Sequence, residues 1–385
     1  MPQKYSAREM LEKLVSFPTI SSESNLPLIH FVRDYLADHG VESHLVPDET
    51  GEKASLYALI GPNVAGGVVL SGHTDVVPVE GQDWVTDPFV VTEKDGKLFG
   101  RGTCDMKGFN AIGLSLVPEM LAADLKRPIQ IALSYDEEVG CLGAPPMIAD
   151  MGKTLPQAAA VIVGEPSMMQ VVTGHKGIAG FVTTVHGFEV HSSLIHTGVS
   201  AVMTAARLIN WHSDRMAENR AAADPNSPFV PPYTTLHCGV INGGTASNIT
   251  AKECTFTTDI RAIPSDDLDD WMDRYRAECA RVEGEIKAIH PDARIVVDLR
   301  SRTSGLMPET DGAAETLARR LTGDNGDHVV SYATEGGQFQ EGGHSVVVCG
   351  PGSINQAHQP NEFLSLDQLA KGEKFIKDII ETLKN

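Results

Sequence analysis

Histidines and carboxylates recur at the points where short apolar runs of the chain end. The motifs that carry them are SGHTD (His73, Asp75), GRGTCDMKG (Asp105), SYDEEVG (Glu137, Glu138), VIVGEPS (Glu165) and QAHQPNE (His358). Mixed imidazole and carboxylate ligation suits Zn²⁺, Co²⁺ or Mn²⁺ better than Ca²⁺ or Mg²⁺. Two such cations could activate a water molecule and polarise a carbonyl group. The pattern therefore predicts a two-metal site.

Three consecutive carboxylates, at residues 136–138, make the need for a cation clearest. They follow a strand-like apolar run at residues 129–133, although like charges repel and each carboxylate resists leaving water. Bound cations would offset that repulsion. Asp75 lies two residues after His73, on the same side of an extended chain, and could hold the imidazole in one tautomer. Asp136 is predicted to tie down the turn and to have no catalytic role.

Each motif also has a simpler interpretation. An isolated H-x-D is a weak signal, and a Glu-Glu pair is typical of a solvated surface. Glu165 could end a strand, Asp105 could cap a helix, and His358 could be a loop residue. These interpretations weaken together because all five candidate ligands flank strand ends or glycine-rich turns.

The elements that must position these side chains alternate between helix and strand. The capping box SARE at Ser6 predicts a first helix, Pro27 opens a second, and a third is predicted over residues 107–125. Ser365 caps a final helix. Alternating strands and helices indicate a layered α/β sheet. In such a sheet the carboxyl ends of the strands converge on one crevice.

The pattern of predicted helices and strands changes between about Lys176 and Thr303. The order of predicted elements there is β-α-β-β-α-β, which indicates a compact α+β unit. The elements are the strand GFVTTVHG, a helix near 199–212, two long strands around Gly243-Gly244, a helix near 266–289 and the strand ARIVVDL. We therefore predict a discontinuous main domain, residues 1–177 and 304–385, interrupted by an insertion at residues 178–303.

Composition limits the classes of partner. The chain has 385 residues, 42% of them hydrophobic, and a formal net charge of −20, so nucleic acid and anionic membranes are not expected to bind. The segment MPQKYSAREM lacks the apolar core of a signal peptide, and no run approaches the roughly 20 residues of a membrane span. The six cysteines are scattered without a C-x-x-C motif, which predicts reduced thiols and a cytoplasmic location.

Taken together, the motifs resemble those of one known family. SGHTDVVP, GRGTCDMKG, DEEVG, VGEPS, VHSS, NIT…DIR and AHQPNE occur in this order. They are similar to the di-zinc amidohydrolases and exopeptidases, which include acetylornithine deacetylase, succinyl-diaminopimelate desuccinylase, aminoacylase and carboxypeptidase G. The stretches GHKG (residues 174–177) and GQDWVTDPF (residues 81–89) most resemble acetylornithine deacetylase. The resemblance implies a zinc-exopeptidase-like three-layer domain with an inserted ferredoxin-like lid and dimerisation domain, and hence a homodimer.

The resemblance also implies a role for each site residue. Two Zn²⁺ ions, for which Co²⁺ can substitute, would be bridged by Asp105. His73 and Glu165 would complete one site, and Glu138 and His358 the other. Glu137 would act as the general base and acid, and Asp75 would orient His73. His191 would stabilise the oxyanion in the active site of the partner protomer. Asn248, Arg261 and the backbone at Gly336 would contact the substrate.

The implied reaction is hydrolysis of N-acetyl-L-ornithine to acetate and L-ornithine, in arginine biosynthesis, by a metal-bridging hydroxide. The same residues would serve N-succinyl-diaminopimelate, N-acetylcitrulline or a general aminoacylase, and a non-catalytic amino-acid-binding protein is a more distant alternative. A Mg²⁺-dependent phosphoryl transferase is disfavoured because G-x-x-x-x-G-K-[ST] is absent. Cys104 is predicted either to fill a tight turn or to present an oxidisable thiol. Cys141 is predicted to pack.

Overall fold

The computed structural model describes residues 2–385. In chain order, the helices are α1 (Ala7–Val15), α2 (Leu26–Asp38), α3 (Lys107–Ser115), α4 (Val117–Ala122), α5 (Ala144–Thr154), α6 (Ala201–Ala222), α7 (Leu268–Lys287), α8 (Ala313–Thr322), α9 (Gly336–Glu341) and α10 (Leu366–Thr382). The strands are β1 (Ser43–Pro47), β2 (Ala54–Ile60), β3 (Val68–His73), β4 (Thr92–Lys94), β5 (Lys97–Phe99), β6 (Ile129–Ser134), β7 (Ala160–Pro166), β8 (Val172–His175), β9 (Gly177–His186), β10 (Thr235–His237), β11 (Ile241–Gly243), β12 (Glu253–Ala262), β13 (Arg294–Thr303), β14 (His328–Val330), β15 (Val346–Gly350) and β16 (Phe363–Ser365). Short 3-10 helices cover Ser192–Thr197 and Ile354–Gln356.

Local sequence signals account for most helix ends. Ser6 and Glu9 form the predicted capping box, in which each side chain accepts from the backbone N–H of the other residue, and Ser365 caps α10. The single helix predicted over residues 107–125 is wrong, because the structure has α3 and α4 there. Pro118 has no N–H to donate and its ring crowds the carbonyl one turn earlier, so the first helix ends before it.

Contacts divide the chain into two compact units. The first comprises the chain up to Gly174 together with Leu306–Val329 and Thr334–Asn385, and the second comprises His175–Gly305 with Val330–Ala333. The first unit is built on an eight-stranded sheet in the order β1-β2-β6-β3-β7-β15-β8-β14. Neighbours within β6-β3-β7-β15 are parallel, so the carboxyl ends of these four strands lie at one edge.

Helices cover both faces of this sheet. On one face, side chains such as Val68 and Leu70 of β3 share a core with α1, α3 and α10. On the other face, α5 packs on β2 and β6, and α9 packs on β7 and β15. The predicted three-layer α/β architecture is confirmed.

A small sheet, β16-β5-β4, brings together two segments of the first unit that are far apart in sequence. Phe363 of β16 pairs with Phe99 of β5, and their ring centroids lie 5.4 Å apart. The residues just after β5 include Asp105, and those just before β16 include His358. This pairing therefore places two predicted metal ligands side by side.

The second unit has the predicted β-α-β-β-α-β order. Its antiparallel strands are arranged β10-β12-β9-β13, with β11 also pairing with β12, and α6 and α7 share a core with them that includes Phe256 and Tyr275. The prediction of two long strands is wrong for the first, which is divided into β10 and β11. Between them, the N–H of Val240 donates to the side chain of Thr257 rather than to a backbone carbonyl. Helix α6 also runs ten residues beyond its predicted end, since SDRMAENRAA is rich in helix formers.

No helix within residues 2–385 is both long enough and apolar enough to cross a membrane.

A buried histidine makes the second unit sensitive to acid. His212 is 2% exposed and lies among Phe256, Tyr275 and Trp211. Burial lowers the pKa of His212 to about 4, whereas the unfolded chain has a value of about 6.5. Between these pH values only the unfolded chain binds this proton. The free energy of unfolding should therefore fall as the pH falls from about 6.5 to about 4.

The substitution His212→Phe should remove this contribution, reducing the dependence of the unfolding free energy on pH by about 1.4 kcal/mol per pH unit. Urea denaturation followed by circular dichroism across this pH range measures the effect. The exposed His196 offers a matched control for the loss of one imidazole, measured in the variant His196→Phe. Equal slopes for His212→Phe and the unsubstituted protein would contradict the prediction.

Candidate metal centre

The predicted ligands of the first unit lie at one edge of its sheet. His73 is the last residue of β3 and Glu165 is the penultimate residue of β7. Glu137 and Glu138 follow β6, and Asp105 precedes α3. The second small 3-10 helix leads into the loop that carries His358. The parallel strand ends and the loops that follow them therefore bring together side chains that are up to 285 positions apart in the sequence.

Two glycines let α3 approach these strand ends closely. A Cβ atom on Gly72, just before His73, would lie 2.3 Å from Oδ1 of Asn110. A Cβ atom on Gly164, just before Glu165, would lie 2.0 Å from the ring of Phe109. Any side chain at either position would push α3 away. The glycines thus fix the depth at which both candidate ligands enter the site.

Asp105 lies between the two histidines. Its Oδ1 is 3.0 Å from Nε2 of His73, and its Oδ2 is 3.4 Å from Nε2 of His358. Nε2 of His358 is also 2.8 Å from Oε2 of Glu138, and Nε2 of His73 is 3.7 Å from Oε1 of Glu165. Each oxygen of one carboxylate therefore faces a different imidazole–carboxylate pair.

The donor set fits divalent cations. Two groups of ligand atoms lie within 4.8 Å of one another, one from His73, Glu137 and Glu165 and the other from His73, Asp105 and Glu138. Oε1 of Glu165 is buried, and no residue in the range 2–385 donates a hydrogen bond to it. A buried carboxylate oxygen without a donor requires a positive partner. Nitrogen and oxygen ligands in this mixture favour zinc-like ions over Ca²⁺ or Mg²⁺.

The pKa values of the clustered carboxylates also favour a bound cation. Burial raises the pKa values of Glu137 and Glu165 well above the usual range, and neighbouring carboxylates add to the effect. Burial also raises the pKa of Glu138 to about 7. Hydrogen bonds to Asp105 and Glu138 raise the pKa of His358 to about 10. Binding of a cation would therefore displace protons from these side chains.

Asp75 supports both His73 and the Glu137–Glu138 turn. Nδ1 of His73, which the Asp75 carboxylate is predicted to orient, is 2.9 Å from the backbone carbonyl of Asp75 and 3.6 Å from its Oδ1. The carboxylate also accepts from the N–H groups of Glu137 and Glu138, at 3.1 and 3.4 Å, and from the hydroxyl of Ser21 at 2.7 Å. One residue therefore links the first histidine to the candidate base.

The turn that carries Glu137 is held from both sides. Asp136 has φ +54° and pairs with Nζ of Lys53 at 2.6 Å, so it ties down the turn as the sequence predicted. The thiol of Cys141 lies 3.3 Å from Oε1 of Glu137, so Cys141 contacts the candidate base as well as packing. Sequence patterns offered no signal for that contact, in a turn where Cys141 itself has φ +53°.

Two buried carboxylates near the site had no role in the sequence analysis. Glu335 accepts hydrogen bonds from Ser71 and Ser134, at the ends of β3 and β6, and so anchors the start of α9 at Gly336. Glu362 accepts from the loop that carries Asp105. Glu335 directly precedes Gly336, and Glu362 ends the motif AHQPNE, but a motif does not distinguish a ligand from a residue that holds a loop in place.

Cys104 adopts the packing role. Its Sγ is buried 3.4 Å from the carbonyl oxygen of Ser353, and a Cβ atom on Gly352 would lie 2.5 Å from it. Burial raises the pKa of the Cys104 thiol well above its usual range. A thiol that stays protonated and enclosed is a poor target for oxidation, so the structure favours the turn-filling interpretation.

The remaining predicted residues belong to the second unit. The ring of His191 is fixed by its Nδ1, which lies 2.8 Å from the hydroxyl of Ser193. Asn248 lies beside this segment, because its carbonyl accepts from the N–H of Ser192 at 2.9 Å. Arg261 is on β12, where its Nε donates to Asp259 at 3.0 Å. Within this unit, His191 and Asn248 are therefore neighbours.

Comparison with known proteins gives a consistent result. Residues 69–382 match the family described as Peptidase family M20/M25/M40. The chain is 33% identical over 380 residues to an acetylornithine deacetylase of Proteus mirabilis (strain HI4320), covering 97% of this chain and 95% of that protein. It is 33% identical over 379 residues to an acetylornithine deacetylase of Myxococcus xanthus, covering 95% and 94%.

Solved structures share the fold. The M20 family metallo-carboxypeptidase Sso-CP2 from Sulfolobus solfataricus aligns with a TM-score of 0.76 at 18% identity, covering 99% of each chain. The Bacillus subtilis YXEP protein, described as a dinuclear metal binding peptidase from the M20 family, aligns with a TM-score of 0.62 at 14% identity, covering 98% of this chain and 97% of that one.

Proposed function

The chain belongs to peptidase family M20/M25/M40, as a metal-dependent amidohydrolase, and we propose that it hydrolyses N-acetyl-L-ornithine to acetate and L-ornithine. The identity of about one third to acetylornithine deacetylases, over nearly the whole of both chains, supports this substrate. The reaction would supply ornithine for arginine biosynthesis, in the cytoplasm.

The observation that carries the proposed chemistry is the position of Asp105. Its two oxygens face two separate imidazoles at 3.0 and 3.4 Å, which is the arrangement a bridging carboxylate requires. We assign His73 and Glu165 to one cation and Glu138 and His358 to the other. Zinc suits this ligand set, and cobalt can replace it because cobalt accepts the same ligands.

When bound, two such cations lower the pKa of water and polarise the amide carbonyl. Glu137 remains as the proton carrier. Its carboxylate takes a proton from the attacking water and delivers it to the leaving amine nitrogen. The pKa of Glu137 is raised by burial, which suits a group that must first accept and then release a proton. Asp75 holds the backbone of Glu137 in place through the 3.1 Å hydrogen bond.

We further propose that residues 178–303 form a lid and dimerisation domain. His191 of one protomer would stabilise the oxyanion of the tetrahedral intermediate in the partner's active site. Nδ1 of His191 is engaged by Ser193, so Nε2 would be the donor. Asn248, beside His191, and Arg261 would contact the substrate, with Arg261 binding its carboxylate. The backbone at Gly336 would approach the substrate from the main domain.

The substitution His191→Ala should lower kcat by about 10²-fold, the effect typical of losing one oxyanion donor, while metal content stays unchanged. Steady-state kinetics and elemental analysis on the same preparation measure both. His196→Ala is the matched control, since His196 is exposed in the short 3-10 helix that begins directly after His191. An unchanged rate in His191→Ala would rule out the oxyanion role.

A substrate panel tests the proposed function. Zinc- or cobalt-loaded protein should release amine from N-acetyl-L-ornithine faster than from N-acetyl-L-citrulline, N-acetyl-L-methionine or N-succinyl-diaminopimelate, and a chelator should abolish release. Preference for another member of the panel would leave the proposed metal-dependent amide hydrolysis in place but would replace N-acetyl-L-ornithine as the proposed substrate. The absence of turnover on every amide would contradict the proposal as a whole.

A further inference from the structure

The loop that carries Asp105 is held by a single buried carboxylate, that of Glu362. Glu362 is 1% exposed. Its Oε1 accepts from the N–H groups of Cys104 and Asp105, at 2.8 and 3.0 Å, and its Oε2 accepts from the N–H of Gly102 at 3.1 Å. Three backbone donors on one carboxylate leave the loop little freedom to rotate. The orientation of Asp105 therefore depends on the position of Glu362.

Arg101 extends this anchor outwards. Its Nη1 donates to Oε2 of Glu362 at 2.8 Å, and its Nη2 donates to Oε1 of Gln82 at 2.6 Å. The side chain of Arg101 is 1% exposed, and its guanidinium carbon lies 5.2 Å from the ring centroid of Trp84. Hydrogen bonds from a charged, planar group are strong and directional. Arg101 therefore fixes Gln82 relative to the Asp105 loop.

Gln82 completes a connection to His358. Its Nε2 donates to the backbone carbonyl of His358 at 2.9 Å. His358 has φ +62°, a left-handed conformation that residues with a Cβ atom adopt only when their surroundings enforce it. Asn361 adds a second connection between the same two segments. Its side chain accepts from the N–H of Val85 at 2.8 Å and donates to the carbonyl of Asp83 at 3.2 Å.

We propose that Gln82 is a positioning residue for the metal centre, which sets His358 relative to Asp105. Its amide connects the His358 backbone to the Arg101–Glu362 pair, which in turn holds the Asp105 loop. The inference rests on the proposed function, because it concerns the cation that Asp105, Glu138 and His358 would share. It also gives a structural role to the stretch GQDWVTDPF, which contains Gln82.

Two substitutions at Gln82 separate this role from a general structural one. Gln82→Ala removes all three hydrogen bonds of the Gln82 side chain, those with Arg101, Trp84 and the carbonyl of His358. Gln82→Glu keeps an acceptor for Arg101 but places an oxygen, instead of a donor, against the carbonyl of His358. The matched control is Gln157→Ala, because Nε2 of the exposed Gln157 also donates to a backbone carbonyl, that of Gly343 at 3.2 Å, just before β7 at the other edge of the sheet.

Calorimetric titration of the metal-free proteins with Zn²⁺ is the experiment. Both Gln82 variants should bind one equivalent as the unsubstituted protein does and the second at least about tenfold more weakly, while their metal-free forms still unfold cooperatively on heating. Gln157→Ala should bind both equivalents normally. Normal binding of the second equivalent by Gln82→Glu would overturn the proposal and leave Gln82 as a partner of Arg101 and Trp84 only. If the unsubstituted protein bound no Zn²⁺, the metal centre itself would be refuted, and the role of Gln82 with it.

Discussion

Glu137→Gln is expected to lower kcat by about 10²- to 10⁴-fold, the contribution typical of a general acid–base group, without loss of bound metal. The amide has the size of the carboxylate but cannot accept a proton from water and pass it to the leaving amine. The Asp75 contact to this residue uses the backbone N–H, so the turn should stay in place. Steady-state kinetics with elemental analysis on the same preparation measure both quantities.

Asp136→Asn is the matched control, because Asp136 is the neighbouring carboxylate of the same turn and pairs with Lys53 at 2.6 Å rather than facing the histidines. It should affect the rate far less than Glu137→Gln. Full activity of Glu137→Gln would remove Glu137 from the mechanism. Loss of metal in this variant would instead make Glu137 a ligand, an arrangement consistent with its closeness to His73 and Glu165.

The second large effect is expected from Asp105→Ala. Its two oxygens face His73 and His358, so removal of the carboxylate takes a ligand from both cations at once. Bound zinc should fall from two equivalents to less than one, and amide hydrolysis should fall to background. Elemental analysis after dialysis against metal-free buffer measures the loss. His358→Ala, by comparison, should lose one cation and retain the other.

A buried carboxylate outside the ligand set serves as the control for Asp105→Ala. Glu335→Gln keeps a group that can hydrogen-bond Ser71 and Ser134 and should retain two equivalents of zinc. Equal metal content in Asp105→Ala and the unsubstituted protein would exclude Asp105 as the bridging ligand.

The positions of the candidate ligands were accessible from sequence because the parallel strands impose them. His73 and Glu165 each stand at the end of an apolar run, and the order of helices and strands is enough to bring such ends together. The capping box at Ser6 and the cap at Ser365 were equally readable, since they depend on residues only three positions apart.

Other features depend on contacts that no local pattern encodes. The anchoring role of Glu362 requires the pairing of β5 with β16, which brings residues near 100 to those near 360. The hydrogen bonds from the N–H groups of Glu137 and Glu138 to the Asp75 carboxylate depend on how the turn after β6 packs against the end of β3. The contact of the Cys141 thiol with Glu137 belongs to a turn in which Asp136 and Cys141 are both left-handed.

The central claim is that two cations held by this site enable amide hydrolysis. The most direct test is to add Zn²⁺ stepwise to metal-free protein and to measure bound metal and amine release from N-acetyl-L-ornithine on the same samples. We predict no release without metal, and release that rises until two equivalents per chain are bound. Undiminished release by metal-free protein, or two bound equivalents with no hydrolysis of any N-acyl amino acid, would contradict the account.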